Sequence, residues 1–253
     1  RKVKTKVKGF RTTDGAGVKL VRVLGNLTTK EFDPILMLDS FDSINPDDYT
    51  AGFPMHPHRG IETISYVSRG KMVHRDSLGN EAGISDGEVQ WMNSGSGIMH
   101  EEMVPAAERL LGVQLWLNLP AKDKMSKPSY NSIKNEDIKE IEIEGGKIRL
   151  LAGKYGEHEG YKGDYLSMDY YDIHLNADAE VTLTMEEDDS VMVFTLLGDV
   201  YIDGEHIEEK TAVKLTEGDS LTIKNGNEKA QVLYMNSRAL NEPVAWAGPC
   251  LLY

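Results

Sequence analysis

The stretch that decides the fold is Gly52–Glu62, which reads GFPMHPHRGIE. Successive side chains of a β-strand point to opposite faces, so residues two apart share a face. His56 and His58 therefore point the same way, and Glu62 joins them if the strand continues. Alone, a His-x-His pair is more often a hydrogen-bonded or surface pair than a metal site, and Pro57 between the two also fits an edge or a loop.

A second stretch, Gly97–Met103, reads GIMHEEM and has the same arrangement. His100 and Glu102 are two residues apart and share a face of the strand predicted there. If both strands line one barrel, three imidazoles and one or two carboxylates converge inside it. Ligands of these types seldom share parity by chance, and imidazole with carboxylate suits a divalent Fe, Mn, Co, Ni, Cu or Zn ion. We therefore predict a metal site.

The composition excludes several classes of function. The 253 residues carry a formal net charge of −13, which argues against direct binding of nucleic acid or of anionic membranes. No apolar run approaches the roughly 20 residues that cross a bilayer, and no signal peptide is evident. The single cysteine, Cys250, excludes an internal disulfide and favours a reducing compartment. The expected location is cytoplasmic, or nuclear in a eukaryote.

Turn signals recur about every ten residues and separate short β-rich runs such as residues 18–24, 61–68 and 112–119. Short strands with frequent turns predict an all-β fold of sandwich or barrel type. Residues 120–140 are polar and contain proline, which is typical of a surface connector. The expected division is an N-terminal barrel, residues 1–134, and a C-terminal barrel, residues 135–253.

A weak internal repeat supports two barrels. Residues 64–73 align with 192–201, residues 85–91 with 216–222, and residues 93–95 with 224–226. At the places of the four candidate ligands, this alignment puts the following residues in the second half: Thr184, Glu186, Gln231 and Leu233. It therefore predicts one metal per chain, in the first half only. A surface or hydrogen-bonding role is expected for the other histidines, which are His74, His158, His174 and His206.

Nearly the whole chain resembles the pirins, two-barrel (bicupin) members of the cupin superfamily. The resemblance is carried by the two stretches quoted above, by residues 89–92 and 112–119, and by residues 242–249. It implies one metal, usually iron as Fe(2+), in the N-terminal barrel, with ligands at His56, His58, His100 and Glu102. Many single-barrel cupins place their carboxylate at the position of Glu62 instead. Spacing alone does not choose between the glutamates, and the resemblance gives Glu62 a hydrogen-bonding role.

The resemblance also implies an activity, that of quercetin 2,3-dioxygenase, in which O2 opens the ring of a flavonol and CO is released. Glu102 is then the candidate base for the flavonol hydroxyl. Five residues either form an apolar wall for a flat ligand or fill the barrel: Phe53, Met55, Trp91, Met99 and Met103. The alternative function is that of a non-catalytic, iron-binding redox sensor that binds a protein partner, either a transcription factor or a metabolic enzyme.

Overall fold

A computed structural model describes residues 1–247 and 250–252, which form two compact units. The site unit contains residues 10–135 and 240–253, and the second unit contains residues 1–9 and 136–239. The boundary between residues 135 and 136 lies one residue from the predicted one. The units are not contiguous in sequence, however, because residues 1–9 belong to the second unit and the residues from 240 onward belong to the site unit. The first nine residues belong to the second unit because their strand, Val3–Lys8, pairs with Thr211–Leu215.

The structure is almost entirely β. In chain order, the first thirteen strands are β1 (Val3–Lys8), β2 (Phe10–Asp14), β3 (Val18–Leu24), β4 (Ile35–Ser43), β5 (Phe53–His58), β6 (Ile61–Arg69), β7 (Lys71–Asp76), β8 (Glu81–Ser85), β9 (Glu88–Asn93), β10 (Ile98–Met103), β11 (Leu110–Asn118), β12 (Ser129–Ile133) and β13 (Lys139–Ile143). The other thirteen are β14 (Gly146–Ala152), β15 (Lys154–Tyr155), β16 (His158–Glu159), β17 (Met168–Leu175), β18 (Glu180–Thr184), β19 (Ser190–Leu197), β20 (Val200–Ile202), β21 (Glu205–Ile207), β22 (Thr211–Leu215), β23 (Ser220–Asn225), β24 (Ala230–Ser237), β25 (Ala245–Ala247) and β26 (Cys250–Leu252).

Helical structure in the described residues is limited to three 3₁₀ turns, at Asn26–Thr28, Pro46–Asp48 and Ala121–Asp123. No helix in the described part of the chain combines the length and the apolar character that a membrane crossing requires.

The two main sheets of the site unit are antiparallel, one of seven strands and one of four, and β25 and β26 form a separate two-stranded sheet. The order in the larger sheet is β12-β9-β6-β11-β4-β3-β2, and in the smaller sheet β5-β10-β7-β8. The smaller sheet carries the candidate histidines of both stretches, because β5 and β10 pair side by side. Residues 120–140, predicted as a connector, contain β12, which pairs with β9 and extends the larger sheet by one edge strand.

The second unit has the same plan. Its larger sheet has the order β1-β22-β19-β24-β17-β14-β13, and its smaller sheet β18-β23-β20-β21. Matching the two plans makes β6 equivalent to β19 and β10 equivalent to β23. The internal repeat is therefore real in architecture, but the predicted alignment of residues 85–91 with 216–222 is shifted by one strand. It pairs β9, from a larger sheet, with β23, from a smaller one.

This shift changes the residues that correspond to the candidate ligands. Gln231 and Leu233 lie on β24, which matches β11 and not β10. The strand that matches β10 is β23, and its inward residues Leu221 and Ile223 are fully buried in the apolar core. Val181 and Leu183 on β18 pack into the same core. The second unit thus fills with aliphatic side chains the place where the site unit carries imidazoles.

Candidate metal centre

Three histidines converge in the site unit. Antiparallel pairing of β5 with β10 sets His100 directly opposite His56, and His58 lies two residues along β5 on the same face. One ring nitrogen from each of the three lies within 4.8 Å of the others. His58 and His100 are buried and His56 is partly exposed. The three imidazoles that were selected from two-residue spacing in the sequence thus lie close together in the structure.

The hydrogen bonds around these rings suit a divalent metal. Nδ1 of His56 lies 2.8 Å from the carbonyl oxygen of Pro54, to which it can only donate, so in the neutral ring Nε2 carries a lone pair. That Nε2 lies 3.0 Å from Nε2 of His58. Nε2 of His100 is buried and has no hydrogen-bond partner among the described residues. Together, the ring nitrogens of His56, His58 and His100 form a set of three imidazole donors. Fe(II), Ni(II) and Zn(II) all bind donors of this kind.

The surroundings of His100 favour its uncharged form. Burial, the largest cause, and the nearby charges of His56 and His74 together lower the pKa of His100 to about 2, against an opposing effect of Asp76. His100 is therefore uncharged at neutral pH, which is the form that coordinates metals.

Glu102 lies on the same strand as His100 but is not part of the three-histidine group. Its carboxylate is buried and accepts hydrogen bonds from two amides. Gln114 Nε2 donates to Oε1 at 3.0 Å and to Oε2 at 2.8 Å, and Gln90 Nε2 donates to Oε1. Ser65 Oγ is 3.5 Å from Oε1. Oε2 receives a hydrogen bond from Gln114 alone among the described residues, so it keeps acceptor capacity.

A row of polar side chains across the larger sheet forms the floor of the site. Register pairs Arg22 with Asp39, Asp39 with Gln114, Gln114 with Ser65 and Ser65 with Gln90. Directly paired residues of antiparallel strands project to the same face. This row therefore faces the interior, where two of its members hold Glu102.

Glu62 lies apart from this row. The strand with the histidine pair ends at His58, and Glu62 belongs to β6, in the other sheet. Glu62 and Ser65 are three positions apart on β6, so their side chains point to opposite faces of the strand. The conditional expectation that Glu62 shares a face with His56 and His58 is therefore wrong.

A cavity of about 730 Å³ opens onto the histidines. Its wall includes His56, His58, Gln114 and the cation Arg22. Its apolar wall consists of Met37, Phe53, Trp116 and Trp246. The rings of Trp116 and Trp246 stack at 5.3 Å with an interplanar angle of 28°, and the Trp116 ring meets that of His58 edge to face at 5.1 Å.

This wall differs from the set expected from sequence. Of the five residues considered, Phe53 lines the cavity. Met55, Met99 and Met103 have exposed fractions of 46%, 39% and 37% and point outward. Trp91 is buried but follows Gln90 on β9, so it projects away from the interior. The methionines occupy the odd positions of β10 and β5, opposite in parity to the histidines.

Of the two roles expected for His74, surface or hydrogen-bonding, the structure shows the second, with the ring fully buried beside His100. Its Nδ1 lies 3.2 Å from Nδ1 of His100, and its Nε2 lies 2.8 Å from Oδ2 of Asp76. The sequence signal that points to this contact is the two-residue spacing of His74 and Asp76, which puts them on one face of β7. The missing information was which strand lies next to it.

Two seven-plus-four-stranded β-units, with a three-histidine centre in one of them, define a two-barrel protein of the cupin type. Residues 17–117 match the Pirin family, and residues 170–251 match the Pirin C-terminal cupin domain. The chain therefore belongs to the pirin family, which confirms the resemblance read from the sequence.

Individual relatives agree. A pirin-like protein of Caulobacter vibrioides is 38% identical over 97% of this chain and 90% of its own. Human pirin is 33% identical over 100% of this chain and 88% of its own. The crystal structure of quercetin 2,3-dioxygenase from Acinetobacter baumannii superposes with a TM-score of 0.89 at 29% identity, covering 99% of this chain and 91% of that one.

Proposed function

We propose that this chain is a metal-dependent dioxygenase that opens the ring of quercetin-like flavonols with O2, with ferrous iron as its cofactor. The observation that carries the proposal is the buried, unpartnered Nε2 of His100 beside the His56–His58 pair, next to a cavity with an aromatic wall. The single cysteine supports a reducing compartment such as the cytoplasm.

The residues fit the cofactor. His56, His58 and His100 would hold the ion through their neutral ring nitrogens, and the expectation that Glu102 is a fourth ligand is part of this proposal. When bound, iron supplies Lewis acidity toward a chelating hydroxyl and redox chemistry toward O2. Three or four protein ligands leave at least one of six octahedral positions open, which distinguishes catalytic from structural sites.

The cavity suits a flat, oxygen-rich aromatic molecule. Its volume of about 730 Å³ lies within the range of small-molecule sites, and its lining combines aromatic rings with a few polar groups. We assign Glu102 the role of proton acceptor for the flavonol hydroxyl. The amides of Gln90 and Gln114 orient the carboxylate, and Oε2 has room for a proton.

The direct test is reconstitution with Fe(II) without oxygen, followed by quercetin and O2, while the flavonol absorbance and released CO are measured. Decay of the absorbance with CO release supports the proposal. If protein loaded with Fe, Mn, Co, Ni or Cu leaves quercetin intact, the dioxygenase assignment fails. The alternative of a redox sensor that binds a protein partner then becomes the better description.

Glu102→Gln is expected to lower kcat for quercetin by about 100-fold, because an amide cannot accept the hydroxyl proton. The matched control is Glu62→Gln, since Glu62 is equally buried but points to the other face of its sheet. Metal content of both variants is measured in parallel. A loss of metal in Glu102→Gln alone assigns Glu102 as a ligand, and the base role is then judged from kcat in protein reloaded with metal. A loss confined to Glu62→Gln contradicts the ligand role of Glu102, and an unchanged kcat in Glu102→Gln contradicts its role as a base.

Trp246→Ala is expected to raise KM for quercetin about threefold to tenfold, with metal content unchanged, because it removes one of the two stacked rings of the cavity wall. Steady-state kinetics at saturating O2 give the comparison. Tyr201→Ala, which removes a half-exposed aromatic ring from the second unit, serves as the control. An unchanged KM for Trp246→Ala would place the flavonol outside this cavity.

A further inference from the structure

The pairing of β7 with β10 places two further side chains, His74 and Asp76, behind the three-histidine centre. Register places Asp76 opposite His100 and His74 opposite Glu102. His74 and His100 are both fully buried, and their rings lie 5.2 Å apart. His74 is on the far side of His100 from the other two imidazoles, so it contacts Nδ1 and leaves Nε2 facing the centre.

Asp76 is held as a charged acceptor. Burial acts to raise its pKa, but hydrogen bonds from His74 and Asn80 and from the backbone of Leu78 outweigh burial and bring the pKa below its ordinary value. Oδ1 accepts from the backbone nitrogens of Leu78 at 2.8 Å and Asn80 at 3.1 Å, and Oδ2 accepts from Nδ2 of Asn80 at 2.8 Å. The carboxylate is therefore fixed in place and can only accept from His74.

This acceptor decides where the protons of both rings reside. Nε2 of His74 donates to Asp76, so the neutral His74 ring presents a lone pair at Nδ1. At 3.2 Å, that lone pair accepts the proton of His100 Nδ1, which leaves Nε2 of His100 unprotonated. The ring of Tyr130 stacks on His74 at 4.1 Å and 14°, which fixes the plane of the His74 ring.

We propose that Asp76 and His74 form a positioning relay, held in plane by Tyr130, that fixes the tautomer of His100 and so prepares its Nε2 to bind the metal. The relay rests on the proposed function, because it acts through the His100 ligand. Outer-shell carboxylate–histidine partners of this kind set ligand orientation and raise ligand basicity in other metal sites, and their loss costs roughly 10–100-fold in metal affinity.

The relay is tested first in the metal-free protein. Two-bond ¹H–¹⁵N correlation spectra report the tautomer of each histidine, and His100→Ala identifies the His100 signals. The wild-type protein is expected to show His100 protonated at Nδ1 alone. Protonation of His100 at Nε2 in the wild type would overturn the proposal, whether or not the protein binds iron.

The second measurement is Co(II) and Ni(II) affinity by competition with a chelator, together with the visible Co(II) spectrum. His74→Phe keeps a ring to stack on Tyr130 but removes the acceptor, and is expected to weaken binding about 10–100-fold and to change the Co(II) bands. Asp76→Asn, which keeps a neutral acceptor, is expected to weaken binding by less. His174→Phe is the control, since His174 makes the same hydrogen bond to an aspartate two residues away, in the second unit.

The outcomes separate the two proposals. If wild-type protein binds neither ion, the metal centre fails while the tautomer measurement still judges the relay. If wild-type protein binds Co(II) and both His74→Phe and Asp76→Asn match it in affinity and spectrum, the relay is wrong and the centre stands. Should His74→Phe fail to fold, Asp76→Asn and the wild-type tautomer still decide the question.

Discussion

His100→Ala is expected to abolish stable metal binding and, with it, all metal-dependent turnover of quercetin. His100 contributes the one ring nitrogen of the centre that is both buried and without a hydrogen-bond partner among the described residues. Removing it leaves the imidazoles of His56 and His58, both from one strand, with only the proposed ligand Glu102 from the strand opposite. We expect affinity to fall by more than the roughly 100-fold that loss of an outer-shell partner costs.

Metal content after dialysis and thermal unfolding with and without Ni(II) measure this effect. A ligand that binds only the native state stabilises it by about 2.7 kcal/mol at 100 times its Kd, so wild-type protein should unfold at a higher temperature with Ni(II). His100→Ala should show no such shift, whereas His158→Ala, altered on a short exposed hairpin, should behave as wild type. Close to one equivalent of metal retained by His100→Ala would contradict the assignment.

The same experiment tests the stoichiometry. One metal per chain is expected, because the strands of the second unit that match β5 and β10 place Val181, Leu183, Leu221 and Ile223 in an apolar core. Two equivalents bound to wild-type protein would require a second set of ligands outside the three-histidine centre.

Strand parity is the part of this site that sequence reasoning could reach. Residues two apart on a strand share a face whatever the rest of the fold does, so His56 and His58 could be paired from spacing alone. The same rule failed for Glu62, because the chain leaves β5 at His58 and enters a different sheet. Parity holds only within one unbroken strand, and the sequence of this turn does not show the break.

Contacts between side chains of different strands could not be predicted from the sequence, for a different reason. His74 meets His100 because β7 lies beside β10, and Trp246 meets Trp116 because the C-terminal segment returns to the first barrel. Both depend on sheet order, which local patterns do not encode. The repeat was misaligned for a related reason, since similar Gly-acidic turns precede strands of different sheets.

Arg22→Met is expected to lower the stability of the folded protein. Arg22 binds Asp39 through two hydrogen bonds, Nε to Oδ1 at 2.9 Å and Nη2 to Oδ2 at 2.7 Å, on the polar floor beside Gln114. The Asp39 side chain is only 5% exposed. Removing one partner of a buried ion pair leaves an uncompensated charge, so we expect the free energy of unfolding to fall by about 3–5 kcal/mol.

Arg109→Met is the matched control. Arg109 and Asp42 form the same kind of two-point pair on the same sheet, with side chains 38% and 22% exposed. Exposed pairs contribute about 0.2–1 kcal/mol, so this variant should be close to wild type. The comparison separates the effect of burial from the loss of an arginine–aspartate contact. Equal losses in the two variants would mean that burial of Asp39 is not the cause.

The loss in free energy of unfolding caused by Arg22→Met should also depend on pH. The pKa of Asp39 determines whether that loss grows or shrinks as the pH rises. Burial raises the pKa of Asp39 in the folded state, and the hydrogen bonds and charge of Arg22 oppose that rise. Without Arg22 the folded pKa rises further above the unfolded value of about 3.9, so the native state holds the proton more tightly. An acid with a raised folded pKa loses stability as pH increases between the unfolded and the folded pKa. In urea unfolding, the loss in free energy of unfolding caused by Arg22→Met should therefore be larger at about pH 8 than at about pH 5. The double variant Arg22→Met with Asp39→Asn should show no such difference between the two pH values, because it buries no charge. A deficit that stays the same across this range would mean that removing Arg22 does not shift the pKa of Asp39 between pH 5 and pH 8.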